Sequence, residues 1–158
     1  MTVVVIGVDP GESTGVATLV DARLMHAWQG SAKDAITLIE LTIVRYLAAD
    51  VTIACERFVN MRRQRGQTHQ PTAQRVSGAV EYLARHHNCR FVQQGPADAW
   101  AMAPNDILFA LGVYQRGSDV GQGDGSDANM AIRHALLYLA QAHATLFDEL
   151  LKSHGIEA

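Results

Sequence analysis

Four acidic residues have the types and spacing to do chemistry together. Asp9 closes the apolar run VVVIGV and opens the turn DPG. Glu56 closes a second run, VTIAC. Asp124 and Asp127 stand three apart in GDGSDA, where a long helical pattern begins. Buried carboxylates are costly unless something pairs with them. Asp9 therefore has two readings, a turn residue or a group placed to hold a cation. Glu56 has a similar choice, because Arg57 follows it and could pair with it. Four clustered carboxylates would repel one another, and a pair of divalent cations would relieve that repulsion. Mg2+ takes oxygen ligands and keeps several waters, which leaves room for a substrate phosphate. Two ions roughly 3.5–4 Å apart can activate a water and stabilise the leaving oxygen of a phosphodiester.

A second group of residues would suit a polyanion. The stretch NMRRQRGQTHQPTAQR carries Arg62, Arg63, Arg65 and Arg75 and no acidic residue. Arginine pairs bidentately with phosphate, and several such contacts supply most non-specific affinity for nucleic acid. Arg57 extends this set toward Glu56. The other reading of the stretch is a solvated surface loop. Phe58, two residues beyond Glu56, is either a core residue or a group that stacks at a branch point. His69 lies in the same basic loop.

The elements needed to position these residues are legible as an α/β pattern. Val3 to Val8 is a continuous apolar run, as in a strand buried on both faces. Gly15 to Val20 and Leu24 to Gln29 are the next two strands, joined by short turns into an antiparallel meander. Ser31 is placed to cap a helix reaching about Ala49. Val51 to Cys55 is a fourth strand, Thr72 to His86 a helix and Arg90 to Gln93 a fifth strand. Pro96 and Pro104 punctuate the segment after the fifth strand, with a short helix over Asn105 to Val113. The glycine-rich run over residues 117 to 127 is a loop. Ser126 then caps a final helix to about Ser153. If strands one and four are parallel neighbours, Asp9 and Glu56 lie side by side at carboxyl ends, where sites of open α/β sheets collect. One helical turn would bring Asp124 and Asp127 onto one face. Gly7 and Gly11 would leave space for a phosphate backbone to approach Asp9.

Composition sets the outer bounds. The 158 residues fit one domain spanning 1–158, with no internal repeat or linker. Apolar residues are 48% and charged residues 18%, a globular rather than a disordered balance. No apolar run is long enough to cross a bilayer, and the start lacks the basic flank of a secretory signal. Cys55 and Cys89 have no ligand spacing, and Cys55 reads as a buried free thiol. A cytoplasmic protein is expected. The net charge of −3 argues weakly against a polyanion partner, but the local arginine cluster counts for more.

Taken in order, IGVDPG, ACERF and DGSDA resemble the RuvC-type Holliday junction resolvases of the RNase H-like superfamily. That family places an Asp at the end of a G-[IV]-D-P-G strand, a Glu after an apolar strand and an Asp-x-x-Asp-Ala pair opening the last helix. Asp9, Glu56, Asp124 and Asp127 match in type, order and spacing. The resemblance implies an RNase H-like fold, a five-stranded mixed β-sheet flanked by α-helices. It implies a two-metal-ion endonuclease using two Mg2+ per site, for which Mn2+ would substitute, with these four residues as metal ligands and catalytic groups. Asp9, on the central strand, would bridge both ions. A homodimer would nick opposite strands of branched DNA, a four-way junction, leaving 5′-phosphates and 3′-hydroxyls.

The sequence also departs from the family. Bacterial resolvases carry lysines between the fifth strand and the last helix. Here FVQQGPADAWAMAPNDILFALGVYQRG has no lysine, and Arg116 is its only cation. His134 comes after the Asp pair but out of the family's register and takes no role from the resemblance. The loop after Glu56 is longer and richer in arginine. These differences mark a divergent member, of the sort a phage would carry. Two other readings stay open: an RNase H-like nuclease acting on flaps, forks or hybrids, and a non-catalytic module that binds branched DNA. GVDPG also resembles the first phosphate loop of sugar-kinase and actin-type ATPases, but 158 residues leave no room for that architecture. GESTG lacks the lysine of a P-loop.

Overall fold

The first apolar run forms β1 (Val3–Asp9), with Val4 through Val8 all buried. The computed structural model describes residues 1–57, 71–120 and 123–156. β1 pairs antiparallel with β2 (Ser13–Val20), which pairs antiparallel with β3 (Arg23–Ser31). The β2–β3 turn holds Asp21 and Ala22 at φ 46° and 64°. Two left-handed residues suit the twist of a tight hairpin. The Asp21 carboxylate accepts the Val3 N–H at 2.9 Å and ties the turn to β1.

Helix α1 (Ala32–Arg45) starts at Ser31, whose hydroxyl accepts the Asp34 N–H. It returns the chain to β4 (Asp50–Glu56), which lies parallel to β1. After α2 (Pro71–His86), β5 (Arg90–Gln94) adds parallel to β4. The strand order is β3-β2-β1-β4-β5, a five-stranded mixed sheet with β1 at its centre.

Alternation along the strands sorts side chains onto two faces. Val4, Ile6 and Val8 of β1 and Ile53 of β4 pack with Ile39 and Ile43 of α1 and Val76 and Val80 of α2. Val5 of β1 and Ala54 of β4 point the other way. They pack beneath α5 (Ser126–Ala142), with Ile132, Leu136 and Leu139. Asp9 continues the alternation of Val5 and Gly7 on that second face, and Glu56 that of Ala54. Cys55, between them in alternation, is buried on the opposite face, where burial pushes its thiol up to about 12.

Several sequence expectations differ from the structure. Pro96 does not merely punctuate: α3 (Pro96–Met102) starts on it, because proline is preorganised for a helix's first position. The short α4 (Asn105–Ala110) comes next. The last helix is two, α5 and α6 (Ala144–Ser153), broken at His143 with φ −136° and ψ 52°. Its cap is Gly125 at φ 88°, not Ser126. Finally, a Cβ on Gly7 would collide with the Ala131 carbonyl of α5. Gly7 lets a helix approach the sheet rather than a phosphate backbone, and Gly11 lies against the Ser13 carbonyl in its own turn.

Candidate active site

The sheet register sets the first two carboxylates. Val8 of β1 is paired with Cys55 of β4, so the next residue on each parallel strand is Asp9 and Glu56. Across the antiparallel pair, Asp9 is opposite Gly15. A Cβ at Gly15 would overlap the Asp127 carbonyl, so the bare backbone there admits the first turn of α5. That contact delivers Asp127 to the strand end holding Asp9.

The start of α5 is held from a distance. Gly125 has no side chain to cap the helix. Gln29 of β3 does so instead: its Oε1 accepts the N–H groups of Asp127 (3.1 Å) and Ala128 (3.2 Å). Asn129, also buried, fastens the preceding loop. Its amide accepts from the Gln115 N–H and donates to the Gln115 carbonyl, at 2.9 and 2.8 Å.

Electrostatics link three of the four acids. Burial pushes the Asp9 carboxyl up to about 8, with the negative charges of Glu56 and Asp127 adding to the rise. Among the described residues, no hydrogen bond or ion pair reaches its carboxylate. Glu56 is partly exposed and accepts from His134 Nε2 at 3.1 Å. Asp124 stands apart. It precedes the helix instead of sharing its face with Asp127, because the left-handed Gly125 intervenes. Its exposed carboxylate accepts the Ser126 N–H at 2.9 Å, and bonding to Ser126 holds it below the usual range.

The residues suit a hard cation in donor type. All four are carboxylates, and Asp9 is a half-buried acid whose ionisation is opposed first by desolvation and then by the charges of Glu56 and Asp127, the condition a divalent ion reverses. The cage is not ready-made. Among the described residues, no three His, Cys, Asp or Glu side chains already stand in a geometry that would hold a metal ion.

Of the residues expected to meet DNA, Arg57 is exposed directly beyond Glu56, and its N–H donates to the Gln94 carbonyl at 2.7 Å. Arg75 is exposed on α2. Phe58, Arg62, Arg63, Arg65 and His69 lie outside the described residues. Sequence reasoning passed over Gln29 and Gln94 and named His134 without giving it a role. A signal existed for His134: seven residues beyond Asp127 is about two helical turns, hence the same face. Gln29 is only 1% exposed, but its partners are about a hundred residues away and leave no local pattern.

A central parallel pair, an antiparallel β2–β3 edge and a carboxylate-bearing helix across the sheet define an RNase H-like fold. No protein-family model matches the chain, and no curated protein matches it in sequence. Solved structures do. It is similar to T. thermophilus RuvC in complex with Holliday junction substrate, at 22% identity and a TM-score of 0.61, over 90% of this chain and 96% of that one. A second Thermus thermophilus RuvC structure matches at 18% identity and a TM-score of 0.56, over 98% and 97% of the two chains. The fold is therefore that of RuvC-type resolvases.

Proposed function

We propose that the chain is a divalent-metal-dependent endonuclease that resolves four-way DNA junctions by paired nicks. The observation that carries this is the meeting of Asp9, Glu56 and Asp127 at the carboxyl ends of β1 and β4, on a fold shared with a junction-bound RuvC. Asp9, Glu56 and Asp127 would hold Mg2+ or Mn2+, with Asp124 joining from the loop. Bound ions would supply the Lewis acidity that activates a water and stabilises the leaving oxygen. The chain's own part is positional. The sheet register fixes the spacing of Asp9 and Glu56, and Gly15 and Gln29 fix Asp127.

Fixed carboxylates of this kind need no covalent nucleophile, since stabilising developing charge is the larger catalytic term. Arg57 and the arginines at positions 62, 63, 65 and 75 would hold phosphates around the junction. A homodimer would present two such sites to opposite strands, with 1–158 acting as one nuclease domain. No described helix is long and apolar enough to cross a membrane.

A labelled four-way junction tests the reading, with wild type and Asp9→Asn, in Mg2+ and in EDTA. Paired nicks are expected only from wild type with metal, with junction binding kept by the variant. Cutting by Asp9→Asn would remove the site assignment. Flap, fork and RNA–DNA hybrid substrates run alongside would show whether the junction is the preferred target. Binding without any metal-dependent cutting would mark a branch-binding module instead.

A further inference from the structure

His134 has no solvent exposure and touches two residues of the sheet. Nε2 lies 3.1 Å from Glu56 Oε2, and Nδ1 lies 3.1 Å from the Gln94 side-chain amide. Glu56 and Gln94 are themselves register partners on β4 and β5, so one imidazole from α5 spans both. The Glu56 carboxylate, an acceptor, calls for the proton on Nε2, and the same tautomer is demanded independently by Gln94. In one orientation its amide satisfies every neighbour. The nitrogen donates to His134 Nδ1 (3.1 Å) and to the His134 carbonyl (2.9 Å), and the oxygen accepts the Tyr138 N–H (3.1 Å). The reverse orientation sets donor against the Tyr138 N–H and acceptor against the His134 carbonyl. Nδ1 is then the bare, accepting nitrogen, and the proton sits on Nε2.

We infer that Gln94 and His134 form a positioning relay, in which the Gln94 amide locks His134 as the Nε2–H tautomer so that it holds one oxygen of Glu56 and leaves the other for a cation. Only the identity of what that second oxygen binds rests on the nuclease reading; the tautomer lock is a property of this chain's packing. His134 meets neither ion nor substrate, so it is a positioning residue. Glu56 has a flexible stem and is 24% exposed, and one bond from a fully buried donor restricts it to a single direction. A partner of this kind is worth about 10–100-fold in metal affinity.

The tautomer is read directly by nitrogen-15 NMR of the His134 ring in the metal-free protein. A neutral ring with Nε2 protonated and Nδ1 accepting is expected. A protonated Nδ1, or a doubly protonated ring, overturns the relay. In a Glu56→Leu background, where no carboxylate demands a donor at Nε2, the Nε2–H tautomer should persist while Gln94 is present and give way to a mixture in Glu56→Leu/Gln94→Leu, and equal ring spectra in the two proteins overturn the lock. The consequence for Glu56 is read by thermal shift with Mn2+ alone. His134→Leu should need about 10–100-fold more Mn2+ for half the shift. His134→Gln, which keeps an N–H donor, should recover most of the difference. A His134→Leu variant that is folded and matches wild type would overturn the positioning role. If wild type shows no Mn2+ response, the nuclease reading falls while the ring spectrum still decides the relay.

Discussion

Gly15 and Asp127 touch backbone to backbone, and the catalytic geometry proposed for this chain depends on that approach. Gly15 is the cross-strand partner of Asp9, and any Cβ there meets the Asp127 carbonyl. The obstacle is backbone, so no side-chain rotation relieves it. Gly15→Ala should push the first turn of α5 from the sheet and destabilise the fold by about 1–3 kcal/mol. Cleavage should fall further than stability, by about 100-fold, since small displacements of positioned groups are costly to rate. Gly78→Ala is the control. Gly78 is helical with open space around it, so alanine should stabilise α2 by about 0.5–1 kcal/mol. Urea denaturation of both variants checks the contrast. A Gly15→Ala protein as stable as wild type would show that helix and sheet do not meet there.

Asp9 makes the metal-free protein sensitive to pH. Burial first, then Glu56 and Asp127, raise its carboxyl from 3.8 to about 8. The folded state thus binds this proton more tightly than the unfolded state. The resulting stabilisation is full below about pH 4 and is lost as pH rises through about 8. In EDTA, wild type should melt several degrees lower at pH 9 than at pH 6, at about 2–4 °C per kcal/mol. Asp9→Asn carries no such proton and should flatten that decline. Mg2+ should restore the melting temperature of wild type at pH 9 and leave the variant unmoved. Equal pH profiles for the two proteins in EDTA would remove Asp9 as the source.

What was legible in the sequence was whatever has a local cause. Short apolar runs bounded by turn residues marked the strands, Ser31 marked α1, and carboxylates ending two of those runs marked Asp9 and Glu56. The less legible features depend on contacts between distant residues. Gln29 caps α5 from about a hundred residues away. Gly7 reads as an open approach until α5 is seen lying on it. The break at His143 has no proline or glycine to announce it, and a helical apolar pattern runs straight through. Asp124 looked like the partner of Asp127 on spacing alone, but one left-handed glycine put it on the loop side.

The basic stretch after Glu56 makes a separate prediction about affinity. Each phosphate neutralised by an arginine contributes about −0.9 to the slope of log affinity against log salt on duplex DNA. If Arg62 and Arg63 hold phosphates, replacing both with alanine should reduce the magnitude of that slope by about 2 and weaken binding across junction sequences alike. Junction cleavage at saturating protein should persist, because neither residue belongs to the carboxylate group. Fluorescence anisotropy over a salt series checks this. An unchanged slope would take these two arginines out of the DNA interface.

Arg133 carries the last prediction, because it is a charge at 1% exposure that finds neutral partners. Its guanidinium donates to the Ala103 carbonyl at 2.8 Å and to the Asn105 side-chain oxygen, and lies 3.8 Å from the centre of the Trp100 ring. Burial lowers its affinity for the proton, yet an arginine stays charged, so these bonds are charge-assisted. They fasten the elbow between α3 and α4 to α5, one residue before His134. Arg133→Ala removes both bonds and leaves a cavity beneath Trp100, at a cost of about 3 kcal/mol or more. Arg133→Met restores the volume and sheds the buried charge, so it should lose clearly less than alanine. Arg133→Lys keeps a charge but replaces the planar fork with a compact ammonium, and should fall below methionine. Chemical denaturation ranks the three. Alanine and methionine variants of equal stability would mean that packing under Trp100 contributes nothing.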